Sequence, residues 1–350
     1  MVSVLSQPRG SLAIIVLSSL LNSCYLLQQG MHIISLQVNA EDISGILQQD
    51  LNPELRGFLE LVLEIKTYAS VVIGLRDDAN FTRYVEIDKE YLVDVVSASQ
   101  SDAFAAFTWR YPFFGSFPYK GYFEYEHALK EAQRLKRKGL DTIVRRVDAF
   151  STLGFFTDPV YSFMTDYSVF TLASLIIHEQ THATIFLKNQ IQFNEELATF
   201  VGREGALDFI AQKYGSDAEQ YRNALRYLKE LDLFLRLIHD LYGQLDLLYA
   251  EDLSAEQKLH QRELVFESFR QSLQTTDADS FTTAAFGNVD KIPLNNAMIL
   301  SLVRYTHDLS LFYSLYEKYE GDLANTVVSL IEGTKNLGDP KASLRELLAD

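Results

Sequence analysis

An H-E-x-x-H pattern, His178 to His182, lies in an otherwise apolar stretch and constrains the chain more than any other feature. Residues 167–177 before it carry no charge, which is typical of a helix buried in a core. Histidines four residues apart lie about one turn apart on the same helix face, so His178 and His182 can bind one metal ion. Glu179 projects beside them, placed to take a proton from water at the ion. The alternative is a pair of core histidines that hydrogen-bond locally.

A third ligand is expected from the acidic segment that begins at Asn194. Asn194 is a good N-cap residue and is predicted to start a second helix. The Asn-Glu pair is similar to third-ligand motifs of gluzincins, so Glu195 is predicted to bind the metal. Glu196 is interpreted as a solvated acid or as one that orients a ligand. Two histidines and one carboxylate with an open fourth position form the catalytic zinc pattern, which predicts one Zn2+ per chain.

Four segments together resemble a known family. The segment after the helix matches F-N-E-x-x-A-x-x-V-x-x-x-G at Phe193, Asn194, Glu195, Ala198, Val201 and Gly205. Residues 119–123 and 150–159 resemble two upstream signatures, with Phe150 and Phe155 where the family more often has Tyr and Trp. Asn295-Asn296-Ala297 and Tyr305 fit a fourth. The chain thus resembles the putative aminopeptidase family of bacterial lipoproteins from about Cys24 to about Gly333.

The resemblance implies a zincin-like metallopeptidase that hydrolyses peptide substrates, with aminopeptidase activity expected. An aminopeptidase must bind the free α-amine of its substrate, and aminopeptidase N-type enzymes use a G-x-M-E-N segment that this sequence lacks. Exopeptidase and endopeptidase activity therefore both stay open. The alternative function is a catalytically inactive, zinc-containing lipoprotein that binds peptide or cell-wall material. Glu179 disfavours that alternative, because a binding module needs no base.

The N-terminus is interpreted as a lipoprotein signal peptide, residues 1–23. An apolar run from Leu12 to Leu21 is too short to span a bilayer but fits a signal h-region. It ends in Leu21-Asn22-Ser23-Cys24, which resembles a bacterial lipobox, and Cys24 is the only cysteine. The expected protein is attached to a membrane by lipid at Cys24, in the bacterial envelope, facing the periplasm or exterior. The alternatives are an uncleaved anchor and a buried free thiol.

The remaining chain is predicted to be predominantly α-helical with a small β-sheet (α+β) and to form a single domain, 24–350, or two lobes, 24–193 and 194–350. A helix is predicted over 122–138, and a strand over 141–147 that either aligns substrate beside the metal helix or is purely structural. Leucines at three- and four-residue spacing predict a long helix over 217–248, paired with one over 255–273. The net charge of −16 excludes a nucleic-acid-binding surface.

Groups beyond the metal ligands are predicted from the chemistry of hydrolysis, which generates an oxyanion that a Tyr or His usually stabilises. Tyr305 is the predicted donor, with His307 as the alternative. Asn296 is a candidate contact to the substrate backbone. Asp158, which precedes Pro159, is assigned a capping or turn role.

Overall fold

A computed structural model of the protein describes residues 30–111, 115–147, 157–275, 280–304, 308–334 and 339–349. Helices dominate this part of the chain and small sheets accompany them, which confirms the prediction of a predominantly helical α+β protein. Cys24 with the predicted signal peptide, Tyr305 and His307 lie outside the described residues, so the calls on them stay predictions. The single-domain call also stays a prediction.

The helices and strands follow one another along the chain with short connections. The helices are α1 (30–39), α2 (Ile43–Ile46), α3 (Pro53–Val71), α4 (Tyr125–Lys136), α5 (Val169–Thr184), α6 (Ile191–Tyr214), α7 (Glu219–Ala250), α8 (Ala255–Thr275), α9 (Asn296–Val303), α10 (Ser310–Lys318), α11 (Leu323–Gly333) and α12 (Pro340–Ala349). The strands are β1 (Glu41–Asp42), β2 (Arg83–Val85), β3 (Val93–Gln100), β4 (Trp109–Tyr111), β5 (Gly115–Phe117), β6 (Tyr119–Tyr122), β7 (Leu140–Val147) and β8 (Val160–Tyr161).

The described strands form three small sheets. One has the order β1-β2-β8, in which β2 and β8 are parallel, so the chain entering α5 is fixed beside β2. A second, antiparallel sheet has the order β6-β3-β7, and β4 pairs with β5. The predicted strand is confirmed as β7, at an edge of its sheet. Its main packing partners are β3, α4 and α9, whereas α5 packs on α3, α6 and α7, which favours the structural interpretation of this strand.

Two predicted helices begin later than expected, and the long helical hairpin is confirmed. Helix α4 begins at Tyr125 instead of residue 122, because residues 119–122 pair with β3 as strand β6. Helices α7 and α8 occupy the predicted positions and pack together through an apolar cluster that includes Ile238, Leu241 and Phe266. Among the helices of the described residues, none combines the length and the apolar character needed to cross a membrane.

The largest apolar core surrounds α5 and α6. Ile176, Ile177, Leu197 and Phe200 are fully buried there, together with side chains from α3 and from the C-terminal helices α10 to α12. Each fully buried aliphatic or aromatic side chain contributes about 1.5–3 kcal/mol relative to an exposed one, so this core holds the two helices firmly together. The polar faces that α5 and α6 share are therefore carried on the most rigid part of the fold.

Candidate metal centre

Helix α5 places His178, Glu179 and His182 in its C-terminal half. The helix begins after Ser168, whose hydroxyl oxygen accepts a hydrogen bond from the Thr171 N–H and so caps the first turn. Its apolar side is fully buried at Ile176 and Ile177, while His178 and His182 are partly buried, with about a fifth of each side chain exposed. The sequence pattern thus acts as predicted: the apolar face anchors the helix and leaves the two imidazoles at its polar side.

Helix α6 begins at Ile191, so the prediction that Asn194 is its N-cap is wrong. Asn194 lies inside the first turns and is 1% exposed. Its side-chain oxygen accepts a hydrogen bond from the Leu187 N–H, and its amide donates to the Leu187 carbonyl, each at 2.9 Å. The asparagine therefore fixes the short connection between α5 and α6, and with it the position of the neighbouring Glu195 relative to the histidines.

A face of small residues brings α6 close to α5. Ala198, Gly202 and Gly205 follow Glu195 at intervals of three and four residues, and therefore lie on the same helix face as the carboxylate. A Cβ atom added at Gly202 would lie 2.8 Å from the Ser174 carbonyl oxygen and 3.2 Å from His178 Cβ. Glycine is thus required for the two helices to approach as closely as they do beside His178.

The ligand atoms of three side chains converge on one point. His178 Nε2 and His182 Nε2 are 3.1 Å apart, and each lies 3.5 Å from a different carboxylate oxygen of Glu195. A tetrahedron with bonds of about 2.0–2.2 Å has edges of about 3.3–3.6 Å, which matches these separations. The group His178, His182 and Glu195 can therefore hold a metal ion, as predicted for these positions.

The charges of this group reinforce its geometry. Hydrogen bonds from His178 and then His182 hold the pKa of the Glu195 carboxyl far below its usual range. Burial alone would lower the pKa of His182, but the hydrogen bond and charge of Glu195 outweigh it and raise that pKa. Glu195 is therefore an ionised carboxylate placed between two imidazoles, the charge state that a cation requires of its ligand.

Glu196 has a different role from its neighbour. It is 1% exposed, accepts a hydrogen bond from Gln192 at 2.9 Å and lies 2.8 Å from Lys341 Nζ on α12. The prediction that Glu196 is solvated is wrong, because α6 turns this side chain into the core, where the C-terminal helix neutralises it. The choice of Glu195 as the residue facing the histidines agrees with this arrangement.

Asp158 lies beside the H-E-x-x-H helix, on the segment that leads into β8. Burial first, and then the charges of Glu179 and Asp78, raise the pKa of the Asp158 carboxyl to about 6. Its backbone is fixed on both sides, because the Asp158 N–H donates to Asn80 Oδ1 and its carbonyl accepts from the Phe81 N–H. Glu179 is partly buried, and within the described ranges its carboxylate has no hydrogen-bond or ion-pair partner.

Asn296 does not belong to this site, and the prediction that it contacts substrate is wrong. The side chain is fully buried; its amide donates to carbonyls of the segment 100–103, and its oxygen accepts from the Tyr249 hydroxyl. The Asn296 N–H donates to Asp141, which also binds Arg262 at 2.8 Å. Asn296 thus joins α9 to the sheet and to α7, a structural role.

Sequence reasoning missed the close approach at Gly202 and the partner of Glu196. The first had a signal, since Ala198, Gly202 and Gly205 share the face of Glu195 at helical spacing. The second had none, because Lys341 is far along the chain and only the packing of α12 brings it to α6.

Comparison with known proteins gives one finding. Residues 24–346 match the model of a protein family described as "Putative aminopeptidase". Neither the curated proteins nor the solved structures include a significant match to the chain. The matched range includes α5, α6 and all three residues of the candidate metal centre.

Proposed function

We propose that this chain, which belongs to the family described as "Putative aminopeptidase", is a zinc-dependent metallopeptidase with a zincin-like site. Family membership makes it a peptidase at the coarse level. The observation that carries the finer proposal is the convergence of two imidazole nitrogens and one carboxylate at 3.1–3.5 Å beside a carboxylate, Glu179, that has no partner among the described residues.

The donor set supports zinc as the metal. Two neutral imidazoles and one carboxylate, with room for a fourth ligand, are the set found in catalytic zinc sites of peptidases, whereas Mg2+ and Ca2+ prefer oxygen ligands throughout. His178, His182 and Glu195 would hold the ion. A bound zinc ion would lower the pKa of water to about 7 and polarise the scissile carbonyl.

Glu179 would move the proton. It follows His178 directly on α5, so its carboxylate projects beside the metal ligands without joining them. A carboxylate that makes no internal hydrogen bond is free to accept a proton from the attacking water and to deliver it to the departing amine. The outward half of the mechanism, stabilisation of the oxyanion, is assigned to Tyr305, with His307 as the alternative.

Location and substrate complete the proposal. Cys24 would carry a lipid and hold the enzyme at the bacterial envelope, and the support for this is the lone cysteine at the end of a short apolar run. The substrate would be a peptide, with hydrolysis at its N-terminal end as the family description suggests.

The test replaces Glu179 with Gln, which keeps size and helix but removes the proton acceptor. Peptide hydrolysis by the zinc-loaded protein should fall by orders of magnitude, while zinc content and thermal unfolding stay near those of the wild type. Gln variant and parent cleaving peptides equally fast would refute the mechanism. Peptide binding without hydrolysis in both proteins would favour an inactive zinc-containing lipoprotein instead.

A further inference from the structure

An enzyme that removes N-terminal residues must bind the α-ammonium group very near the reacting carbonyl. The amine nitrogen is two bonds, or about 2.5 Å, from the scissile carbonyl carbon. The group that recognises it must therefore lie in the same site as the base that activates water. A carboxylate is the natural partner, since hydrogen bonds between charged groups are stronger than neutral ones.

Asp158 lies within the electrostatic reach of Glu179, and the surrounding structure fixes it there. The segment 76–81 bonds to both the metal helix and Asp158: at its start, Gln180 and Thr184 of α5 bond to the Arg76 backbone. At its end, Asn80 and Phe81 bond to the Asp158 backbone. The carboxylate is thus set at one end of the catalytic helix by hydrogen bonds that leave its oxygens unused.

The charge of Asp158 is uncompensated, in contrast to that of its acidic neighbour. Asp78 lies 3.6 Å from Lys66 Nζ and accepts hydrogen bonds from Asn80. Asp158 has no hydrogen bond or ion pair through its carboxylate with any residue that the structure describes. Glu179 adds a second negative charge nearby. A half-buried carboxylate without a cation is unfavourable on its own, and a cationic ligand would relieve it.

We propose that Asp158 binds the α-ammonium group of the substrate and restricts the enzyme to peptides with a free N-terminus. The inference rests on the proposed peptidase function and deepens it. It also supplies the amine-binding acid that the sequence lacks as a G-x-M-E-N segment. A substrate amine between Asp158 and Glu179 would place its first carbonyl beside the metal ligands, so cleavage after one residue follows from the position of the acid.

The experiment compares zinc-loaded wild type with Asp158→Asn on alanine p-nitroanilide and N-acetylalanine p-nitroanilide. The wild type should prefer the free amine. In the variant, kcat/KM for the free-amine substrate should fall about 10- to 150-fold, as the loss of a charged hydrogen bond does, mainly through KM. The slower hydrolysis of the acetylated substrate should stay at the wild-type rate, so the preference disappears. A purely structural role would lower both rates together.

Asp77→Asn is the matched control, because Asp77 lies on the neighbouring loop with three quarters of its side chain exposed. Its preference for the free amine should equal that of the wild type. If Asn at position 158 prevents folding, Asp158→Ser removes the same charge and takes its place. A free-amine preference that survives loss of the Asp158 charge overturns the inference.

A binding measurement separates this inference from the proposed function. If the zinc-loaded wild type hydrolyses neither substrate, the peptidase proposal fails, and calorimetry with alaninamide and N-acetylalaninamide decides about Asp158. Tighter binding of alaninamide that is lost in Asp158→Asn supports the amine site. Equal binding of both amides overturns it. Hydrolysis in which acetylated substrate is preferred also overturns the amine site, while the peptidase proposal stands.

Discussion

Replacing Gly202 with alanine tests whether the close approach of α5 and α6 sets the metal centre. The added Cβ would lie 2.8 Å from a backbone oxygen of α5, closer than real Cβ contacts, and 3.2 Å from His178 Cβ. Backbone atoms in the middle of a buried helix cannot move alone, so α6 must shift away. Glu195 is two turns, or about 10 Å, further along the same helix face and should move with it.

The magnitude follows from two opposing effects. Overpacking a close helix contact costs about 1–3 kcal/mol. Alanine in a helix interior is favoured over glycine by about 0.8–1 kcal/mol. The control is Gly243→Ala in α7, where nothing lies within 4 Å of the added Cβ, so only the favourable effect acts. Gly202→Ala should therefore be about 1–3 kcal/mol less stable than Gly243→Ala.

A graded series sharpens the comparison. At Gly205 the added Cβ would meet only side-chain methyl groups of Ile73 and Ile177, the nearest at 2.8 Å, and these can rotate away. Gly205→Ala should therefore fall between the other two variants. Chemical denaturation of the metal-free proteins gives the order of stability, and competition with a chelator gives zinc affinity.

Zinc affinity is the decisive measurement, because stability alone does not report on the site. Displacing one ligand should weaken zinc binding in Gly202→Ala by about 10- to 100-fold, as loss of a supporting contact does at other zinc sites. Gly243→Ala should bind zinc like the wild type. Equal unfolding midpoints and equal zinc affinities in the two variants would refute the view that the helix contact positions Glu195.

Four further outcomes follow from the site and the N-terminus. His178→Ala should lose the metal by elemental analysis, and full occupancy would exclude this ligand set. In the metal-free protein, Asp158→Asn should be more stable than the wild type above pH 6, on the order of 1–2 kcal/mol after allowance for solvent screening, with the difference vanishing below about pH 4 as the raised pKa of Asp158 is passed; denaturation at several pH values measures it. Tyr305→Phe should lower kcat by about 100- to 1000-fold with KM little changed, unless His307 is the donor. Cys24→Ala should abolish lipid labelling, and labelling that persists would place the anchor elsewhere.

The parts of this site that could be predicted are those set by local spacing. His178, Glu179 and His182 depend only on helix periodicity, and the buried face of α5 is visible as an uncharged run. The parts that could not be predicted depend on which distant elements meet. Asn194 fits an N-cap by residue type, yet packing extends α6 by a turn and gives its amide to Leu187.

The same distinction explains the two polar side chains whose roles were wrong. Glu196 and Asn296 are residue types that usually face solvent or substrate. Each is buried because a remote partner satisfies it: Lys341 neutralises the first, and carbonyls of the segment 100–103 satisfy the second. A single sequence gives the identity of a polar group but not the distant atom that balances it.

The arrangement of charges makes the metal centre a site that exists before the ion binds. Glu195 remains ionised and holds both imidazoles through hydrogen bonds, so the ligand atoms are already at tetrahedral separations. Asn194 and the glycine face of α6 fix the carboxylate from behind, without using its oxygens. The protons on the imidazoles then occupy the place of the cation and must leave when a metal binds. Ordering the ligands is a cost met during folding, so binding energy is not spent on assembling the site.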